Sequence, residues 1–447
     1  MEVSFYNSVE ARQCGSIGLT DENKQGKDRP KRKRTIVFFC IAAVTVLLNI
    51  AAWNSAAFCD WYIAHIFPVW VNTYGRLTGL FPFSVGEWLI VAGLILVAMA
   101  AVLAVVWTVT EVVSVMQRKK RTGFRRFAKS FYRFFVWTLL MVCLVMTLNC
   151  FILYHASTFS QRYMGTEAES DDEYTLEELI RVYNLVAEQC IRLSAEIARD
   201  ENGRAVYAGS AGRDGECLDM ADKARELMVQ LGDTYDQLDG YYPRPKALLS
   251  SDFMCQQYMC GYYFPFSMEA NYNDVMYILN IPSTMCHELA HLRGFIYEDE
   301  ANFIAYLACV ESDDMFFQYA GYLSVLAYLH NDLYRGYRTD PTGYELAAAS
   351  VPPVTVPGQV WEDDTFVMQE EWDRINGKAL IDTELVDEVS DVFIDTTLKV
   401  NGISDGSVSY SRVVKLLLQY YKQFYESLSN NLSNNFSESL DKLRFSM

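Results

Sequence analysis

Residues Thr284–Ala308 read TMCHELAHLRGFIYEDEANFIAYLA, and they hold two of the chain's five histidines. His287 and His291 stand four residues apart with Glu288 beside the first, the pattern H-E-x-x-H. On a helix, positions i and i+4 share a face, so both imidazoles can point at one metal ion. Glu288 sits about 100° further round, where it reaches a water on that ion without being a ligand. Zinc suits nitrogen donors, and three protein ligands plus water is its catalytic arrangement. The competing reading is a buried helix whose histidines bond to backbone groups. Pro282-Ser283-Thr284 supplies a helix start, with Ser283 or Thr284 as the expected N-cap, and Gly294 supplies the stop.

A third ligand has to come from elsewhere. Outside the motif, only His155, at the edge of this domain, and His330 could serve, so a carboxylate from Glu298-Asp299-Glu300 is the better source. On a second helix Glu298 shares a face with Ala301, Asn302 and Ala305, small or amide side chains that let two helices approach closely. Glu300 shares a face with Phe303, Ile304 and Leu307, a packing surface. Glu298 is therefore the expected ligand and Glu300 the alternative. Asn302, four residues beyond Glu298, can accept the other ring N–H of a ligating histidine. An ordinary acidic helix start would also place carboxylates here.

Outward from this stretch, the 447 residues divide into two unlike halves. Residues 1–155 carry 17 Lys+Arg against 8 Asp+Glu, whereas residues 156–447 carry 21 against 48. The acidic half is a poor nucleic-acid partner, since phosphate binding needs the opposite charge. The first half holds three apolar runs, Ile36–Ala57, Trp88–Val109 and Phe134–Tyr154, each about the 20 residues that cross a bilayer core. KRKR (Lys31–Arg34) and RKKRTGFRRFAKSFYR (Arg118–Arg133) fall on one side of such a membrane. The positive-inside rule makes that side the cytoplasm and puts everything after Tyr154 outside. A cleaved signal peptide ending at Ser55–Ala57 is the alternative, although its apolar stretch is long and two more runs follow. The aromatic connection Asp60–Glu87 is expected to lie as a loop along the outer interface.

Organisation follows as a loose cytoplasmic tail (residues 1–34), a three-helix transmembrane region (35–155) and an extracytoplasmic domain (156–447). That domain reads as mainly helical with a small sheet. Asp171–Asp200 and Cys217–Gly232 keep helical apolar spacing, as do the stretch from Thr284 through Asn302 and the segment AGYLSVLAYLHNDLYRGY. Further helices are expected at Thr383–Thr397 and Tyr410–Leu428, and Thr339–Asp364 reads as a loop or linker. Gly261–Phe266 is a strand that an extended peptide can pair with, or a plain core strand. Phe264, Glu269, Asn271 and Tyr410 are candidate substrate contacts. Tyr297, Tyr410 and Asn401 are candidates, by residue type alone, for stabilising an oxyanion. The six cysteines of this half read as buried thiols rather than a disulfide framework.

H-E-x-x-H followed by E-x-x-A-N resembles the Glu-zincin pattern, in which a glutamate on a second helix completes a zinc site. Asn302 stands where many such proteins have aspartate. PFSVGEWL (Pro82–Leu89), GYYFPFSMEAN (Gly261–Asn271), HELAHLRGF, EDEANF and LKVNGISDGSVSY (Leu398–Tyr410), together with three spans, resemble a bacterial membrane-protein family known as domain of unknown function 3810. The resemblance implies an outward-facing, zincin-like domain holding Zn2+ and names no substrate. The expected activity is hydrolysis of a peptide or protein substrate, with Glu288 as base for a zinc-activated water. A non-catalytic zinc-bearing sensor or scaffold, or a zinc hydrolase of a cell-wall amide, remain the alternatives.

Overall fold

The computed structural model describes residues 22–116, 122–165, 174–211, 217–379, 381–400 and 412–423. Its first part folds into α1 (Glu22–Asn54), the short α2 (Ala56–His65), α3 (Val85–Met116) and α4 (Thr122–Met146). Helix α1 starts within the segment expected to be a loose tail. The segments Lys33–Asn54, Val85–Ser114 and Gly123–Met164 are each long and apolar enough to cross a membrane. Polar bonds tie them together: Asn49 Nδ2 donates to Thr147 Oγ1 at 2.8 Å, and the Tyr132 hydroxyl donates to the Ala100 carbonyl at 2.7 Å. Leu47, Leu94, Val105 and Val109 face outward and are exposed. Helices this apolar on their free side suit a surrounding other than water.

The connection from Asp60 to Glu87 is largely helical rather than a loop. After α2 the chain makes short helical turns from Phe67 to Thr78, with Phe67 and Val71 buried. Its backbone folds back against the rest of the protein because side chains there supply partners, as the sheet shows below.

Beyond Gly165 the fold is helical, with small sheets. Helix α5 (Leu176–Glu196) opens with a capping box between Thr175 and Glu178, and Asp219 caps α6 (Met220–Gly232). Three strands follow: β1 (Lys246–Ala247), β2 (Gly261–Phe264) and β3 (Glu269–Tyr272). Their order is β1-β3-β2, with β3 parallel to β1 and antiparallel to β2 in a register pairing Tyr262 with Asn271. Then come α7 (Ile281–His291), α8 (Glu298–Val310), α9 (Met315–Thr339) and α10 (Pro341–Ser350).

Helix α7 is the centre of this arrangement. It packs on α6, α8, α9 and the sheet, and Met285, Cys286, Leu289 and Ala290 are buried among Phe303, Leu307, Phe317 and Leu326. Burying each large side chain of this set stabilises the fold by roughly 1.5–3 kcal/mol. The stretch Thr339–Asp364 is not a linker, since it carries α10 and a further helix, Gly358–Asp363. Both lie on α5, where Asn184 donates to the Pro352 carbonyl at 2.9 Å and accepts from Val354 N at 2.8 Å. A helix covers Thr383–Val400, and residues 412–423 add another that buries Val413, Val414 and Leu417. Among the described residues, nine of the chain's eleven cysteines, Cys40, Cys59, Cys143, Cys150, Cys190, Cys255, Cys260, Cys286 and Cys309, are free thiols.

The two faces of the three-stranded sheet do different work. Gly261 and Tyr263 face α7; a Cβ built on Gly261 would stand 2.8 Å from Glu288 Oε1 and 2.9 Å from Thr284 Cγ2. Residues of opposite parity face the start of α3. Glu269 accepts from the backbone N–H of Val85 and Gly86 at 3.1 and 2.8 Å, and Lys246 Nζ bonds it at 2.5 Å. Glu87 in turn accepts from Leu249 N and Ser250 N. One small sheet thus joins the first apolar part of the chain to the helix that carries His287.

Candidate functional site

Helix α7 begins earlier than its local sequence suggests. Neither Ser283 nor Thr284 caps it; Asn280 takes that position without a side-chain bond, and Pro282 sits in the first turn, where its missing N–H costs nothing. At the other end Gly294 adopts φ +91°, a conformation that suits glycine and turns the chain straight into α8. A side chain there would also stand 2.9 Å from Ile63 Cγ2. The tight hairpin results from both constraints, and it sets the first turn of α8 beside the last turn of α7.

Three donor groups converge at this hairpin. His287 Nε2 and His291 Nε2 lie 3.0 Å apart, and Glu298 approaches them at 3.0 and 3.8 Å with its two carboxylate oxygens. One ligand atom from each of these residues falls within 4.8 Å of the others. The opposite ring nitrogens are both engaged: His287 Nδ1 bonds Asn302 Oδ1 at 2.8 Å, and His291 Nδ1 bonds the Phe295 carbonyl at 2.7 Å. Both acceptors are oxygens, so each Nδ1 carries the proton. With Nδ1 protonated on both rings, the two Nε2 atoms face each other across 3.0 Å, an arrangement relieved by a proton on one of them or by a cation between them.

The electrostatics show the same demand. Burial works against charge on His287, but the Glu298 hydrogen bond and the charges of Glu298 and Glu288 outweigh it and lift the ring to about 9. Burial, together with the neighbouring His287, pushes His291 down to about 4. Desolvation opposes charge on Glu298 as well, yet the two imidazoles hold it at about 2. Burial raises Glu288 to about 8, and its Oε2 has no hydrogen-bond partner among the described residues. Two imidazole nitrogens and one carboxylate, with a buried carboxyl beside them, are a donor set of the kind that could hold a cation preferring nitrogen and oxygen ligands, such as zinc. The Glu298 side chain is 53% exposed, so the cluster is open on that side.

Other candidate residues are placed elsewhere. Glu300 turns away from the histidines and accepts the backbone N–H of Phe159. Glu269 and Asn271 are buried on the sheet face opposite α7, the first in its pair with Lys246 and the second bonding Tyr262 O. They do not line a cleft beside His287, because strand alternation points them the other way. Phe264 shares that far face, packed over Gly86 and against the rings of Tyr262 and Phe266. The Tyr297 hydroxyl is taken by the Tyr154 carbonyl at 2.6 Å, which removes it as an oxyanion donor. Tyr410 and Asn401 lie outside the described residues. His155 lies tilted against Trp53 and His330 meets Trp361 edge-to-face, so neither joins the cluster.

Tyr263 and the Phe295 carbonyl belong to the site without having been expected there. The Tyr263 ring centroid is 6.1 Å from that of His291, and its hydroxyl donates to the Asn149 carbonyl at 3.1 Å. Strand alternation from Gly261 signals the facing of Tyr263, but nothing local signals the role of Phe295, which follows from the turn at Gly294.

The family described as "Protein of unknown function (DUF3810)" matches residues 62–418. No curated protein matches the chain, and no solved structure does.

Proposed function

We propose that this chain, which belongs to the DUF3810 family, is a membrane-anchored zinc metallopeptidase. The observation that carries the reading is the convergence of His287, His291 and Glu298 beside a buried, unbonded Glu288 oxygen. His287, His291 and Glu298 are the ligands, and Asn302 and the Phe295 carbonyl hold the two rings in the tautomer that presents Nε2. A zinc ion held there would supply Lewis acidity, polarising a carbonyl and acidifying a bound water. Glu288 accepts the water proton as the water oxygen bonds to the carbonyl carbon. It returns that proton to the departing nitrogen as the C–N bond breaks. Strand β2 is the edge of its sheet and runs past Glu288, so an extended substrate can pair with it.

The three apolar helices support a multi-pass membrane protein. The basic clusters at Lys31–Arg34 and Arg118–Arg133 favour a cytoplasmic N-terminus and an extracytoplasmic site. The test uses the full chain, purified with and without Glu288→Gln. Both proteins are expected to hold one zinc per chain, with peptide-library turnover lower in the variant by about 10²–10⁴-fold. Equal turnover removes Glu288 as the base. Zinc without turnover in either protein moves the reading to a binding or sensing role.

A further inference from the structure

The site is bolted to the ends of the apolar helices. Tyr263, beside His291, donates to the Asn149 carbonyl, and Asn149 Nδ2 donates back to the Pro265 carbonyl at 2.8 Å. Tyr297, the residue before Glu298, bonds the Tyr154 carbonyl at 2.6 Å. Asn149 and Tyr154 belong to the segment Gly123–Met164 that is long and apolar enough to cross a membrane. Gly294, in the turn between His291 and Glu298, is pressed onto Ile63 of α2. On the far side of the sheet, Glu269 is held by the first N–H groups of α3, at Val85 and Gly86. Contacts therefore run from the hairpin and its sheet to the same end of the apolar bundle, with no intervening spacer.

The surface around these attachments is apolar and aromatic. Trp53, Trp61, Leu77, Leu80 and Phe81 are exposed, Leu80 at 77%. Rings and leucines in this position suit the headgroup zone of a bilayer, where an apolar body and a polar edge are both satisfied. Glu298 is the open side of the cluster, so the donor set is reached from solvent close to this rim.

We propose that the site acts on membrane-anchored polypeptides, at bonds in the segment that adjoins the substrate's own span. This rests on the peptidase reading and specifies its substrate class. An extended chain covers about 3.3–3.6 Å per residue, and the headgroup zone is only some 5–8 Å deep. A bond reaching a site fixed at the helix ends therefore lies within about ten residues of the substrate's span. Sharing the same membrane also replaces a bimolecular encounter by a local concentration that no free peptide matches. The chemistry is the hydrolysis given above, with water as the other reactant.

The experiment uses the full chain in phosphatidylcholine vesicles with single-span peptides carrying a degenerate ten-residue cassette. In one set the cassette follows the span directly, in a second it follows a rigid helical spacer of about 45 Å, and in a third the span is omitted. Cut sites are read by mass spectrometry. In parallel, a photo-crosslinker in the cassette is used with the Glu288→Gln variant, which reports placement without turnover. The expected result is at least tenfold more cutting and crosslinking in the first set, with crosslinks on residues 261–264. Equal cutting of the second or third set overturns the proposal and leaves the peptidase reading standing. Crosslinking in the first set without cutting by the wild-type chain supports the placement and removes the peptidase reading. Release of lipid fragments in place of peptide products overturns the polypeptide as substrate.

Discussion

Asn302 does its work through a single oxygen, which takes the Nδ1 proton of His287 and leaves Nε2 as a lone-pair donor. Replacing it with alanine frees the ring to rotate or change tautomer while His287, His291 and Glu298 remain. Asn302→Ala is expected to weaken zinc binding by about 10–100-fold, measured by competition against a chromophoric chelator, with the fold unchanged by circular dichroism. A different residue sets a pH response away from the site. Burial raises Asp364 from an ordinary 3.8 to about 7. The folded state therefore binds more protons than the unfolded state between pH 4 and 7, so stability falls as pH rises through that window. Asp364→Asn removes the penalty. It is expected to flatten this slope in thermal unfolding and to be more stable than wild type at pH 8 by about 1–2 kcal/mol, partial exposure having screened the rest.

Helices α7 and α8 bring His287, His291 and Glu298 together only because the turn between them is short. Gly294 holds φ +91°, and its neighbour Ile63 leaves no room for a methyl group. Gly294→Ala combines a conformational cost of about 1–2 kcal/mol with a clash, so a loss of roughly 2–4 kcal/mol is expected in denaturant unfolding. Zinc affinity falls with it, since His291 and Glu298 flank the turn. The long elements were readable in advance. Leu176–Glu196, Met220–Gly232 and Met315–Thr339 repeat apolar residues at helical spacing and carry side-chain caps at Thr175, Asp219 and Asp314. The short ones were not. The turns of 67–78 and the helices of 341–363 have too few residues for a period to emerge, and partners remote in sequence hold them. The start of α7 departs from its local cap chemistry for a related reason: Ser283 and Thr284 have the right chemistry for a cap, but Ile281 and Pro282 already belong to the helix.

Across the whole molecule, one buried ion pair joins the apolar bundle to the domain that carries the site. Lys246 donates to the carbonyls of Thr78 and Phe83 at 2.7 and 3.0 Å and to Glu269, which takes the N–H groups that open α3. Lys246 is 7% exposed and Glu269 is 1% exposed, so neither can fall back on water if its partner is lost. Lys246→Met leaves a buried carboxylate without its cation. It is expected to cost about 3–5 kcal/mol, read as a lower thermal midpoint and faster proteolysis between residues 75 and 90. Adding Glu269→Gln, which removes the stranded charge, is expected to recover most of the loss. An unchanged midpoint in the single variant would show that the junction bears no stabilising role.

The spacing of His287, Glu288 and His291, the choice of Glu298 over Glu300 for the same helix face as Asn302, and the three long apolar runs all follow from the sequence alone. These are local periodicities, set by the 3.6-residue turn and by the thickness of a bilayer, and a linear reading captures them. Tertiary structure alone decided that Glu269 serves a junction rather than a cleft, that Tyr297 is spent on the Tyr154 carbonyl, and that the histidines stand at the ends of the apolar helices. Each of those outcomes depends on which face of an element meets a partner more than a hundred residues away. No local pattern encodes that pairing, because it is chosen by the joint packing of the whole chain.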